Sequence, residues 1–371
     1  MDWRFFRNVF LKALLLFVVL NLLFAVWNPA GLGKISAYNT LFPGRLRFPF
    51  GENPAQAYNL SLFNLDAMFA SHEIAARPKP VDEYRVILIG DSSVWGTLLR
   101  PEETFAGLLD GADLTACDGR MVRVYNLGYP TISLTKDLMI LAESMRYKPD
   151  MVVWPLTLEA FPTDKQLSSP IVSHNASRIQ ALIQAYNLPF DADDPALRKS
   201  VFWDDTIISQ RRGLADLARL QLYGVLWAAT GVDQVYPVDY QRAQTDFDTD
   251  VSFYDQQPPK LDESRLAFEV IEAGVRAAGE TPILIINEPM LISTGKNSDL
   301  RYNFFYPRWA YDQYRQMMAD WSGQYGWNYL DLWNIVPAAE FTNSAIHMTP
   351  AGESLFAARL SEAIKQQACP K

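Results

Sequence analysis

The residue best placed to do chemistry in this chain is a serine at the end of a buried-type strand. Tyr84-Arg85-Val86-Ile87-Leu88-Ile89 runs into Gly90-Asp91-Ser92-Ser93-Val94-Trp95-Gly96, and the residues after Gly-Asp-Ser are compatible with a helix. At a strand-to-helix junction a side chain stands above the sheet edge, and the N–H groups that open the helix favour developing negative charge. A serine hydroxyl needs a base to become nucleophilic at neutral pH, and histidine is the usual one. The chain offers only His72, His174 and His347. His72 falls in an irregular N-terminal region and His174 in a stretch outside the regular rhythm of elements, so both are read as surface residues. His347 lies in Phe341-Thr342-Asn343-Ser344-Ala345-Ile346-His347-Met348-Thr349-Pro350-Ala351-Gly352, after the last strand and before the last helix. It is the candidate base. A Gly-Asp-Ser triplet is equally a turn motif, so the chemical reading depends on this pairing.

Bringing Ser92 and His347 together requires a parallel sheet. Apolar runs suited to buried strands are Val86–Ile89, Val122–Leu127, Met151–Pro155, Pro282–Asn287 and Asn328–Trp333. Helical patterns occupy Thr135–Tyr147, Leu266–Ala278, Trp309–Ser322 and Pro350–Ala368. Strands alternating with helices indicate a parallel sheet covered on both faces. The expected fold class is α/β: a doubly wound five-stranded parallel sheet, an α/β/α sandwich of the flavodoxin-like kind, with a helical insertion and an N-terminal transmembrane helix. Both Ser92 and His347 then fall at the carboxyl ends of strands, the edge where ligands bind.

The chain divides by composition into 1–30, a cytoplasmic tip and transmembrane anchor; 31–83, a linker packing on the main domain; 84–160 with 262–371, the α/β domain; and 161–261, a mostly helical insertion. Within the insertion, Ile179, Leu182, Ile183 and Tyr186 recur at helical spacing. Leu214–Ala229 is a second helix, read as buried against the main domain. The other reading places it on a membrane surface, because Asp216, Arg219 and Gln221 interrupt its apolar residues.

With these placements the chain resembles the SGNH (also called GDSL) hydrolase superfamily, across about residues 84–160 and 262–371. Gly90-Asp91-Ser92 matches the first block of that family, which carries the nucleophile. Asn126-Leu127-Gly128 matches the second, whose glycine N–H helps to bind the oxyanion. His347, followed by Thr349 and Gly352, matches the last, which carries the base. The resemblance implies that Ser92 attacks an ester carbonyl while its own N–H and that of Gly128 stabilise the tetrahedral oxyanion. Two blocks depart from the family. Its third block supplies an Asn, whereas Trp154-Pro155-Leu156-Thr157-Leu158-Glu159 has none, and Thr157 is the substitute donor. The aspartate expected three residues before the histidine is Ser344, with Asn343 beside it; either is a candidate to orient the ring. Asp91 and Glu159 are further candidates for that role, Asp91 being better suited to shaping the turn.

From Val9 to Trp27 the chain is apolar except for Lys12 and Asn21, close to the roughly 20 residues a spanning helix needs. Arg4, Arg7 and Lys12 against the lone Asp2 predict a cytoplasmic N-terminus and an exported body. A cleaved signal peptide is the rival reading, disfavoured by the length of the apolar run and the lack of a small-x-small site. Some SGNH proteins with this layout work outside the membrane beside membrane-bound O-acyltransferases, acylating envelope or secreted glycans. The resemblance therefore implies an extracytoplasmic esterase or O-acyltransferase, its substrate an acyl ester or glycan and its partner such an acyltransferase. The alternative is a catalytically weak SGNH-like module that binds glycan or the membrane partner.

A net charge of −9 and a pI near 5.0 argue against nucleic acid as a partner. No cofactor or metal is expected. Asp246, Asp248 and Asp250 alternate like calcium ligands, but Val251 and Gln257 replace the Gly and Glu such a loop needs, which leaves a solvated acidic loop. Cys117 and Cys369 are the only cysteines; in an oxidising compartment they could pair and tether the C-terminus, and two free thiols are the equal alternative.

Overall fold

The computed structural model describes residues 3–27, 29–42, 44–50, 64–197, 201–231 and 239–369. Its centre is a five-stranded parallel sheet of order β2-β1-β3-β4-β5, with β1 Glu83–Leu88, β2 Met121–Asn126, β3 Met151–Leu156, β4 Ile283–Asn287 and β5 Asn328–Asp331. Each strand coincides with one of the expected apolar runs to within a few residues. The chain leaves β1 for β2 on one side and returns to place β3 on the other, so the topological switch point lies at the carboxyl end of β1. Ser92 is there.

Alternation along the strands divides the core in two. Ile87, Val152, Trp154, Ile283 and Ile285 pack in one cluster with Leu138, Ile271 and Tyr314. Val86, Leu88, Met151, Val153, Leu284 and Ile286 face the other way, onto Phe105, Leu109, Phe356 and Leu360. A period of two on strands buried on both faces produces this split. The first face is covered by helices Leu134–Ser144, Phe268–Ala278 and Arg308–Tyr325, the second by Phe105–Asp110 and Pro350–Gln367. The fold is a doubly wound α/β sandwich.

Outside the sandwich the structure departs from sequence expectation in several places. The region before β1 is not uniformly irregular: Leu65–Ser71 is a helix with every residue buried. His72, expected at the surface, is fully buried. Its Nδ1 accepts the Ile74 N–H at 3.1 Å and its Nε2 bonds the Asn126 carbonyl at 3.0 Å, so it serves as a polar peg between this region and the end of β2. His174 is exposed, as expected. Between residues 161 and 261, helices Ala176–Tyr186 and Ile207–Thr230 form, but residues 239–262 contain no helix. That acidic stretch is strapped down by two backbone bonds, Ala243 to Thr342 and Phe247 to Lys296, and by the Arg301 guanidinium donating to the Asp250 carbonyl.

The Ile207–Thr230 helix corrects a second expectation. Only Leu220 and Gly224 are buried in it, while Ile208, Leu222, Tyr223 and Leu226 are exposed. It lies against the end of the N-terminal helix and the Tyr38–Leu41 turn, not in the main core. The N-terminal helix, Trp3–Trp27, is long and apolar enough to cross a membrane and has only Asn21 and Ala25 buried.

Cys117 and Cys369 form a disulfide that closes a separation of 252 residues and ties the last helix to the loop before β2. A crosslink over so long a loop acts mainly by restricting the unfolded chain. The Cys117→Ser/Cys369→Ser double variant is expected to lose about 2–5 kcal/mol of stability, read as a lower denaturant midpoint in equilibrium unfolding. An unchanged midpoint would remove the disulfide from the account of stability.

Candidate active site

The turn carrying Ser92 is built by its neighbours. Asp91 is the N-cap of the short helix Ser92–Trp95, its Oδ1 accepting the Ser93 N–H at 2.8 Å. Asp91 thus shapes the turn and does not reach His347. Two glycines let other backbone approach that helix. Gly90 adopts φ +152°, and a Cβ there would lie 2.5 Å from Val94 Cγ2. A Cβ on Gly128 would lie 2.6 Å from the Trp95 nitrogen. Larger residues at either position would push the Ser92 turn off the sheet edge.

Ser92 and His347 meet across 255 residues of sequence, with Ser92 Oγ 2.7 Å from His347 Nε2. His347 Nδ1 lies 2.8 Å from Asn343 Oδ1, so the amide oxygen accepts the ring N–H and leaves Nε2 bare to accept the serine proton. Asn343, not Ser344, reaches the ring. The loop holding them is closed by the bridge between Phe341 and Met348, and Thr342 donates from both its N–H and its hydroxyl to the His347 carbonyl, at 2.8 and 3.1 Å. Thr349 then caps the last helix through the Gly352 N–H. Burial with no carboxylate beside the ring pushes the His347 pKa down to about 4.

Beneath this pair lies a polar layer that the sequence did not single out. The fully buried Lys136 ammonium donates to the Gly90 carbonyl at 2.6 Å and the Tyr129 carbonyl at 3.1 Å, and pairs with Asp137. Asp137 also accepts the Trp154 indole N–H at 3.2 Å. Ser93 donates its hydroxyl to Glu288, which follows β4. Burial, then the nearby Asp91 charge, raises the Glu288 pKa well above its ordinary value; burial also lifts Asp137, to about 6. Lys136 and Asp137 look in sequence like the solvated first turn of a helix. Glu288 had one available signal, its place at the carboxyl end of a strand.

The remaining expected residues lie nearby with other commitments. The Gly128 N–H donates to Asn126 Oδ1 at 3.0 Å, while the Asn126 amide donates to the Val94 carbonyl at 2.7 Å. The Thr157 hydroxyl is 2.7 Å from the Tyr306 hydroxyl. Glu159 pairs with Lys165 at 2.6 Å and accepts the Tyr254 hydroxyl, so it does not orient His347. The Ser92 N–H has no acceptor among the described residues. Among the described residues no group of three or more His, Cys, Asp and Glu side chains is disposed to hold a metal.

No family model matches the chain, and no curated protein matches it. Solved structures with a related course of chain include an aryl esterase of M. smegmatis, at 13% identity and TM-score 0.34 over 76% of this chain and 99% of that one. Another is a putative arylesterase of Agrobacterium tumefaciens, at 11% identity and TM-score 0.36 over 76% and 98% of the two chains. A carbohydrate acetylesterase family member of Sinorhizobium meliloti aligns at 12% identity and TM-score 0.33 over 76% and 98%. These neighbours are esterases, but at such scores the likeness carries no weight for the activity of this chain.

The ring environment has a measurable consequence. In an NMR titration, the His347 resonance (assigned by its loss in His347→Gln) is expected to stay neutral far below pH 6.5 and protonate near about pH 4. Asn343→Asp places a carboxylate on Nδ1 and is expected to move the midpoint upward. A wild-type midpoint near 6.5 would contradict the described environment.

Proposed function

We propose that this chain is a membrane-anchored serine enzyme of the SGNH type that acts on acyl esters outside the cytoplasm. The observation that carries this reading is the continuous chain of hydrogen bonds from Ser92 Oγ through His347 to Asn343 Oδ1. Residues 84–160 and 262–371 form the catalytic unit, and the described residues 44–50 and 64–83 pack on it. The Cys117–Cys369 disulfide favours an oxidising compartment, in keeping with a body exported beyond the Trp3–Trp27 helix.

In the proposed reaction Ser92 Oγ attacks the ester carbonyl carbon as its proton passes to His347 Nε2. The carbonyl π electrons move onto oxygen, giving a tetrahedral oxyanion held by the unoccupied Ser92 N–H and by the Gly128 N–H, shared with Asn126 Oδ1. Collapse expels the alkoxide, which takes the proton from Nε2, and leaves an acyl-serine. An acceptor O–H then gives its proton to Nε2 as its oxygen attacks the acyl carbon, and the second tetrahedral oxyanion collapses by expelling Ser92 Oγ, which takes the proton back from Nε2. Water as acceptor makes the enzyme an esterase; a glycan hydroxyl makes it an O-acyltransferase, for which a membrane-bound acyltransferase is the natural donor partner. Thr157 stays outside the oxyanion site, because it is fully buried beside the Tyr306 hydroxyl.

Asn343 in place of an aspartate fixes the ring tautomer but offers no charge to stabilise the imidazolium. Together with the internal bond on the Gly128 N–H, this favours a second reading: a weak or inactive SGNH-like module that binds glycan or a membrane partner.

Turnover of p-nitrophenyl acetate separates the two. The enzyme reading expects wild-type turnover that falls to the uncatalysed background in Ser92→Ala. It also expects a Thr157→Val variant within about tenfold of wild type, short of the ~100- to 1,000-fold cost of losing an oxyanion donor. Folded wild-type protein no faster than Ser92→Ala would select the binding module.

A further inference from the structure

The segment Val201–Ile208 exposes large apolar side chains on either side of Asp204, Asp205 and the buried Thr206. Phe202 is 45% exposed, Trp203 66% and Ile208 49%. Phe202–Asp205 forms a single turn, followed by the Ile207–Thr230 helix, and both lie against the end of the N-terminal helix. The point of contact is polar. Asn21 is buried although the helix around it is exposed; its Oδ1 accepts the Ile208 N–H at 3.1 Å, and its Nδ2 donates to the Phe17 carbonyl at 2.8 Å.

The Ile208 N–H is one of the first-turn donors that a helix leaves without an internal partner. An asparagine inside an apolar span also needs a partner, since an unmatched amide in hydrocarbon costs several kcal/mol. The two requirements cancel in one bond. Its position fixes a depth: at about 1.5 Å per residue, Asn21 lies about 9 Å along the helix before Trp27. Amphipathic segments at a membrane interface seat their apolar side about 5–10 Å below the headgroup boundary. Arg211 and Arg212, both exposed, follow within about one turn of Ile208. The turn also carries two carboxylates: Asp204 accepts the Val201 N–H at 2.9 Å, and the half-buried Asp205 beside it limits how deep the turn can sit.

We infer that the Val201–Ile208 turn is a wedge inserted into the outer leaflet of the lipid bilayer beside the N-terminal helix, held there by the Asn21–Ile208 bond. This inference rests on the reading that Trp3–Trp27 spans the membrane. The body is then fixed to the bilayer at two adjacent points and not swung on a single tether, and its catalytic edge keeps a set orientation to the membrane.

The test uses the full-length protein in phosphatidylcholine–phosphatidylglycerol vesicles carrying doxyl-labelled lipids. Single cysteines are introduced at Trp203, Ile208, Leu15 and the exposed Glu362, with the native disulfide intact, and labelled with an environment-sensitive fluorophore. The inference predicts that labels in Trp203→Cys and Ile208→Cys are quenched by doxyl lipid severalfold more than the label in Glu362→Cys, and are shielded from aqueous iodide. Quenching of the Leu15→Cys label with none at 203 or 208 would overturn the wedge alone. No quenching of the Leu15→Cys label would overturn the spanning reading and the wedge with it. In Asn21→Leu, labels at 203 and 208 are expected to become accessible to iodide.

Discussion

A buried ammonium holds together the sheet edge that carries the candidate site. Lys136 sits in the first turn of a helix beneath the sheet edge, and its Nζ reaches the carbonyl of Gly90, after β1, and that of Tyr129, after β2. The two loops that carry Ser92 and Gly128 are thereby fixed to one atom. The Tyr129 N–H adds a second tie, donating to the same Gly90 carbonyl at 2.9 Å. An unpaired buried ammonium would be prohibitive; here Asp137 supplies the counter-charge and the carbonyls take the remaining protons. The arrangement also explains the local glycines, because the Ser92 turn can be drawn this close to β2 only if neither Gly90 nor Gly128 carries a Cβ.

Around that cation the electrostatics are tuned toward neutrality. Asp91 and Glu288 flank Ser93, and burial raises both pKa values, with the mutual repulsion of the two carboxyls adding to the effect on Glu288. Above them the imidazole of His347 is also held neutral, by burial beside an uncharged amide. A neutral ring is in the form a general base requires, while the imidazolium produced in the reaction finds no carboxylate at Nδ1. The ring is therefore in the basic form, but its lowered pKa makes it a weak base and leaves its cation poorly stabilised.

Much of this was legible in the sequence, for reasons that differ by element. The central strands β1, β3 and β4 are rich in Val, Ile and Leu because every residue in them is buried, and such runs stand out without any periodicity. Ser92 and His347 could be paired because so few histidines exist and only one lies at a strand-to-helix junction. Asn343 was visible as a neighbour, but whether it or Ser344 reaches the ring depends on the loop closed by Phe341 and Met348. His72 was misplaced because burial of a lone histidine depends on a tertiary acceptor, the Asn126 carbonyl, that sequence does not reveal. The apolar content of Leu214–Ala229 points to burial against the main domain, whereas much of the surface of the Ile207–Thr230 helix that contains it is exposed. Lys136 and Asp137 were overlooked since charged residues in a first helical turn are ordinarily solvated.

The central claim is that Ser92 is activated by His347. Treating the folded, full-length protein with a fluorophosphonate and mapping the adduct by peptide mass spectrometry tests it most directly, since only an activated serine reacts at an appreciable rate. The account predicts one adduct, on Ser92, formed in wild-type protein and lost in His347→Ala. A folded wild-type protein that stays unlabelled, or that labels elsewhere, would contradict it.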